Sequence, residues 1–289
     1  MPTIEDRFRG CLVGGATGDA LGAPIEFFSE ANINERYGGE GIRELEPSYG
    51  VVGAITDDTQ MTLFTAEGCI RYGEIAVDVD LTRLTQSIRF AYQRWFDTQQ
   101  SAHQGSESES AKGGYLAHLP AMRNRRGPGN TCLTALANGR PVISSKGCGG
   151  VMRVAPVGLF LAGRADRKTV FDAGCRSAEI THGHPSGYLA AGVLAALIAG
   201  VIEGQALSDS LEVALDILQE HEEHHEVLSK VTAAIRLSRD GVDRTQVFAT
   251  LGEGWIAEEA LAIGVYSCMA WQSLEEAVVC SVNHGGNSD

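Results

Sequence analysis

The sequence predicts an all-α protein, on three observations. Residues 189–202 (LAAGVLAALIAGVI), 210–218, 227–237 and 257–270 are rich in Ala and Leu, and their apolar positions recur at intervals of three and four, the period of a helix. Alternating runs of β-branched residues bounded by turns are nearly absent; the short piece 50–55 is the main exception. Residues 6–22 also read as a helix, with Gly10, Gly14, Gly18 and Gly22 in one row along it. An interior Gly costs about 1 kcal/mol against Ala, so the row predicts close packing against a neighbour or a ligand.

Between these elements, residues 30–49, 101–114, 123–130 (RNRRGPGN) and 144–150 (SSKGCGG) carry the Gly, Pro, Ser and Asn signals of loops. No period of 20 to 50 residues repeats, which argues against a solenoid. With 289 residues, 44% apolar and 21% charged, and no low-complexity stretch, the chain reads as a single domain over 1–289.

The balance of 23 Lys and Arg against 37 Asp and Glu leaves a net charge of −14, which predicts no nucleic-acid and no anionic-membrane partner. Phosphates would be held by backbone amides, a helix terminus or a cation. The uncharged stretch 182–202 contains about a dozen strongly apolar residues, short of the roughly 20 a bilayer span needs, so it predicts a buried core helix. Seven scattered cysteines without a C-x-x-C pair, and an acidic start (MPTIEDRFRG), predict a reducing, cytoplasmic location.

Five segments could carry chemistry. Thr56-Asp57-Asp58-Thr59 precedes the helical run 60–70, so it reads either as an acidic helix cap or as a hard oxygen cluster suited to Mg²⁺ or Mn²⁺. Asn283 to Asp289 (NHGGNSD) places oxygen-bearing side chains after two glycines, the pattern of a turn or of a ligand set. In GDALGAPIE, residues 18–26, a helix stops at Gly and Pro and delivers Glu26 from the next turn. SSKGCGG leads into Val151-Met152-Arg153-Val154 as a glycine loop opening a helix, where bare amides can cradle a pyrophosphate. His221-Glu222-Glu223-His224-His225 matches the H-E-x-x-H helix of zinc proteases, but its acidic surroundings and lack of a third ligand favour a solvated helix face.

Taken in order, GDALGAPIEF, TDDT, RGPGNT, SKGCGGVMRVAP, THGHP and VNHGGNSD resemble the ADP-ribosylglycohydrolase family, which includes the dinitrogenase-reductase-activating glycohydrolases. The set spans nearly the whole chain and is specific as a set. The resemblance implies a compact multi-helix globule around a central two-metal cleft. Two Mg²⁺ ions, with Mn²⁺ as a substitute, would be held by Thr56, Asp57, Asp58, Asn287 and Asp289. Glu26, Asp57 and Asp58 would be the catalytic carboxylates. Gly147, Gly149 and Gly150 would contact the pyrophosphate, His182 would line the ADP-ribose cleft, and Tyr266 would stack on the nucleotide or the acceptor. The implied substrate is an ADP-ribosylated protein, with arginine the first choice of acceptor and serine behind it, and ADP-ribose is the product. Such an enzyme would reset a regulatory modification or act as an immunity protein against a toxin.

Two departures stand out. The family usually has Asp where this chain has Asn287, and it continues past the second aspartate, which predicts a domain lacking its C-terminal end. Loss of one negative charge should weaken cation affinity. The alternatives are therefore an inactive ADP-ribose-binding module and, more remotely, a zinc metalloprotease.

Overall fold

The computed structural model describes residues 2–100 and 114–289. Among them, helices dominate. The N-terminal third comprises α1 (Ile4–Gly22), α2 (Glu30–Tyr37), a two-residue antiparallel hairpin of β1 (Pro47–Ser48) and β2 (Val51–Val52), α3 (Asp57–Gly73) and α4 (Leu81–Thr98). There follow α5 (Asn130–Asn138), α6 (Ala155–Leu161), α7 (Arg167–Glu179), α8 (Pro185–Ile202), α9 (Leu207–Gln219), α10 (His225–Asp240), α11 (Arg244–Leu251), α12 (Ala257–Ala270) and α13 (Leu274–Val282).

Helix α8 is the centre. Its Ala-rich sequence lets α6, α7, α9 and α12 approach it closely, and Leu189, Ala190, Ala191, Val193, Ala195, Ala196 and Ala199 are all buried. It is long and apolar enough to cross a bilayer, but 72% of it is buried inside the protein, as expected for a core helix. Pro185 starts it without losing a needed N–H, and the His184 side chain accepts from the Ser186 N–H at its first turn.

A second, smaller core positions the candidate site. Leu21, Ile25, Ile33, Ile42, Val279 and Val282 pack together and fasten the end of α1, helix α2 and α13 to one another. Full burial of each such side chain is worth roughly 1.5–3 kcal/mol, enough to hold both ends of the chain in register. Asn283 reinforces the joint: its amide accepts from Ile42 N (2.7 Å) and donates to Ile42 O (2.9 Å) and Val279 O (2.8 Å).

Several expectations are corrected. Residues 30–49 are not all loop, because Ser29 caps α2 by accepting from Asn32 N, and Ile33 gives that helix a buried anchor. The glycine loop does not open directly into a helix at Val151: the N–H groups of Val151 and Met152 turn back onto Cys148 O, and α6 starts only at Ala155, with Pro156 in its first turn. The glycine row on α1 is not uniformly packed. Gly10 and Gly14 meet nothing within 4 Å; Gly14, Gly15 and Gly18 border a cavity of about 430 Å³ that reaches Asp19, Asp58 and Asp289 at one end. Only Gly22 is in tight contact, since a Cβ there would overlap the Ser288 carbonyl. Of the loop expected at 101–114, all but the last residue lies outside the described residues.

Candidate functional site: an acidic cluster closed by the two ends of the chain

Five carboxyl groups from three segments converge. Asp19 is on the last turn of α1 and Glu26 follows in the turn after it; Asp57 and Asp58 begin α3; Asp289 closes the terminal motif. Asp19 is buried and saturated with donors: Thr56 N and Thr59 N at 3.0 Å and Thr59 Oγ1 at 2.5 Å. In effect α1 caps α3, because a carboxylate at a helix N-terminus satisfies orphan amides and meets the positive end of the dipole. The Thr56 side chain caps the same turn by accepting from Asp58 N at 3.3 Å.

Asp57 accepts from Gly129 N at 3.1 Å, so the RGPGNT turn fixes its orientation. Glu26 lies beside it: a single point above Gly127 is 3.5 Å from an Asp57 oxygen, 3.6 Å from Glu26 Oε2 and 3.3 Å from the Tyr49 hydroxyl. Burial pushes the Glu26 carboxyl up to about 8, with the charges of Asp289, Asp57 and Asp19 adding to the shift. Asp57 is pushed up to about 8 by burial, partly offset by the Gly129 N–H, with Asp289 and Asp19 raising it further. Asp58 is raised by burial and then by Asp289, Asp57, Asp19 and Glu26, and Asp289 rises to about 6 from burial and Asp19.

Such a cluster is unfavourable unless protons or a cation neutralise it. Among the described residues, no group of three or more His, Cys, Asp or Glu side chains stands preassembled as a metal site. The chemistry of the donors nonetheless fits a hard divalent cation. Every donor is oxygen, and Glu26 Oε2 is buried without a hydrogen-bond partner.

The structure thus brings together Glu26, Thr56, Asp57, Asp58 and Asp289. Asn287 is close by, but its Nδ2 donates to Cys148 Sγ at 3.3 Å, which ties the terminal motif to the glycine loop. That loop is built on His182. Gly149 and Gly150 are buried, and a Cβ at Gly149 would come within 2.8 Å of the His182 ring. Gly147 is half-buried and bridges to Ile256. His182 hydrogen-bonds Thr181 Oγ1 at 2.8 Å through Nδ1; burial and the nearby Arg153 guanidinium depress it to about 3, so it is neutral.

Tyr266 is placed elsewhere. It is buried in the main core, edge-on to Phe248 at 6.1 Å, so its ring is committed to packing. The H-E-x-x-H segment is no helix face: residues 221–224 form the turn between α9 and α10, and His221 stacks on Phe171 at 5.1 Å. The zinc-protease reading needs both histidines on one helix face and loses its footing here.

Two members of the neighbourhood escaped the sequence reading. Asp19 sits within GDALG, where the sole signal was a charge in a row of small residues. Tyr49 lies in a segment read only as loop, and nothing in its surroundings marked it.

The whole chain, residues 1–289, matches the ADP-ribosylglycohydrolase family. An uncharacterised protein of Archaeoglobus fulgidus is 29% identical over 299 residues, covering 99% of this chain and 84% of its own. ADP-ribosylhydrolase ARH3 of Bos taurus is 27% identical over 319 residues, 98% of this chain and 81% of its own. An ADP-ribosylarginine hydrolase of Serratia proteamaculans is 33% identical over 119 residues, 39% of this chain and 29% of its own. A solved structure titled as an ADP-ribosylglycohydrolase-related protein complex shares the fold, with a TM-score of 0.65 at 22% identity over 99% of this chain and 83% of that one. An all-α chain whose two ends meet in an acidic cluster, matched along its full length, belongs to the ADP-ribosylglycohydrolase family and is a glycohydrolase of ADP-ribosyl-acceptor bonds.

Proposed function

We propose that this enzyme releases ADP-ribose from arginine side chains of modified proteins, with Mg²⁺, or Mn²⁺ in its place, held by Thr56, Asp57, Asp58 and Asp289, and by Asn287 through its carbonyl oxygen. The observation that supports this reading is the convergence of Glu26, Asp57, Asp58 and Asp289 from opposite ends of the chain. The arginine acceptor is supported by the likeness to the Serratia hydrolase.

Bound divalent ions would supply Lewis acidity and a water of lowered pKa beside the sugar. The chain's own residues do the rest. As the bond between the anomeric carbon and the acceptor nitrogen breaks, positive charge grows on the ribose, and the surrounding carboxylates stabilise it. Glu26, beside Asp57 and with Oε2 buried and unpartnered, is placed to carry a proton between the attacking water and the leaving nitrogen. Water contributes the new C–O bond, and its proton balances the one the acceptor gains. Gly147, Gly149 and Gly150 would take the pyrophosphate, and neutral His182 beneath them holds the loop's shape without adding charge.

Peptides carrying ADP-ribose on arginine or on serine, incubated with and without Mg²⁺, test this directly. Release from the arginine linkage only with the cation, abolished by Asp57→Ala, is the expected result. No release from any linkage, with tight calorimetric binding of ADP-ribose, would instead make the protein a binding module.

A further inference from the structure

Among the described residues, the non-glycine residues with left-handed backbone are Phe27 (φ 71°) and Tyr49 (φ 49°). Both are aromatic and both border the acidic cluster. Phe27 directly follows Glu26, and the Tyr49 hydroxyl faces the point shared by Asp57 and Glu26. A side chain with a Cβ resists this conformation, and such strain persists where the surroundings impose it, typically beside functional sites. At Phe27 the terminal motif imposes it, since Phe27 N donates to Gly286 O at 3.0 Å and Gly286 N donates to Phe28 O at 2.9 Å; at Tyr49 the two-residue turn of the β1–β2 hairpin does, with Tyr49 and Gly50 both at positive φ.

The strain serves no burial. Phe27 is 69% exposed and Tyr49 46% exposed. Phe27 instead stacks on Trp255, with ring centroids 5.3 Å apart and planes 27° apart, and Trp255 is itself 37% exposed. The Trp255 carbonyl accepts from Cys148 N at 3.2 Å, which makes this aromatic pair continuous with the glycine loop. An exposed aromatic rim therefore runs beside the cluster, on both the Glu26 side and the loop side.

We propose that Phe27, Tyr49 and Trp255 form the acceptor subsite, a rim of aromatic faces that takes the flat, cationic guanidinium group of the modified arginine. This rests on the arginine reading above. Charge selects the guanidinium over the neutral adenine ring. The acids Glu26, Asp289, Asp57 and Asp19 all act on Tyr49, while Arg126, next to Gly127, donates from its guanidinium to Ile55 O at 3.0 Å. Trp255 Nε1 donates to Glu253 Oε2 at 3.1 Å, which places another carboxylate at the indole edge. Lys146, the cation of the glycine loop, is engaged by Glu226 at 2.8 Å and Glu258 at 2.5 Å. Aromatic faces in a negative field favour a planar cation, through the ring quadrupole and the carboxylates together.

Phe27→Leu and Trp255→Leu keep bulk while removing the π face; Trp255→Phe restores one. KM and kcat on an arginine-linked ADP-ribosyl peptide, and the calorimetric Kd for free ADP-ribose, are measured for each. The expected result is a KM raised about tenfold in both leucine variants, with kcat and the ADP-ribose Kd held, and partial recovery in Trp255→Phe. A Kd for ADP-ribose that weakens in step with KM overturns the proposal, because the rim would then hold the nucleotide; an unchanged KM overturns it equally. The wild-type measurement separates the underlying reading: turnover of a serine-linked but not an arginine-linked peptide refutes the arginine assignment and the guanidinium role with it.

Discussion

The carboxyl groups of Glu26 and Asp289 act on each other across the cluster, which couples the turn after α1 to the terminal motif. Glu26 is the partner that keeps the proton, since burial and three neighbouring acids raise it to about 8 while Asp289 rises to about 6. Glu26→Gln preserves the donor and removes the acid. Release of ADP-ribose should fall ~100-fold or more if Glu26 moves a proton in the reaction. The Tm of the cation-free protein at pH 8 should rise, because a repelling charge is gone. Steady-state kinetics and a thermal melt check both, and a variant of unaltered activity removes Glu26 from the mechanism.

Cation binding should compete with protons. Glu26, Asp57 and Asp289 have folded pKa values above their unfolded ones, so they stabilise the fold at pH below about 4 and that contribution is lost as pH rises towards 8. A divalent ion must displace those protons and would offset the repulsion that replaces them. The rise in Tm on adding Mg²⁺ should accordingly be larger at pH 8 than at pH 6, measured by calorimetry with EDTA-treated protein as reference. A shift equal at both values contradicts a site built on these carboxyls.

His182 acts in the opposite direction. Its folded pKa, near 3, is below the unfolded value of about 6.5, so its stabilising contribution is intact above pH 6.5 and lost as pH falls towards 3. The carboxyls titrate across part of this range with the other sign, so the wild type alone does not isolate the effect. The stability difference between wild type and His182→Asn, from urea melts at several pH values, should narrow steadily below pH 6.5.

Gly22→Ala places a methyl group on the Ser288 carbonyl. Overpacking of this kind costs roughly 1–3 kcal/mol where the neighbours cannot yield. The damage should fall on the small core and the cluster, because the main core around α8 is built from other residues. Loss of activity and of Mg²⁺-dependent stabilisation, with far-UV circular dichroism retained, is the expected outcome.

Helices with strong apolar periodicity were legible in the sequence: 189–202 and 257–270 lie within α8 and α12, as composition alone demands. Helices α7, α11 and α13 went unassigned because short or strongly polar stretches leave a weaker signal, whereas α4, with Leu84, Ile88, Tyr92 and Trp95 buried at helical spacing, carried a legible pattern that the charged and polar residues between them obscured. Helix α2 was hidden by its polar residues, and only Ile33 anchors it. The acids Glu26, Asp57, Asp58 and Asp289 were marked by motifs, since turn and cap chemistry leaves local traces. Asp19 and Tyr49 were not, because their place in the cluster depends on which segments meet in space. Tyr266 shows the converse error: an aromatic at helical spacing reads equally well as ligand shelf or core, and here it is core.

The seal between Gly22 and Ser288 also bears on how the molecule is made. The end of α1 finds Thr56 and Thr59 of the α3 start within about 40 residues, whereas its contact with Ser288 spans most of the chain. Only Asp289 must therefore be brought to the other acids by long-range closure, and contacts of such sequence separation are the slow ones to form. A chain stopped just short of residue 283 would hold the main core's residues up to Cys280 and yet lack Asp289, the acid that joins the cluster from the other side.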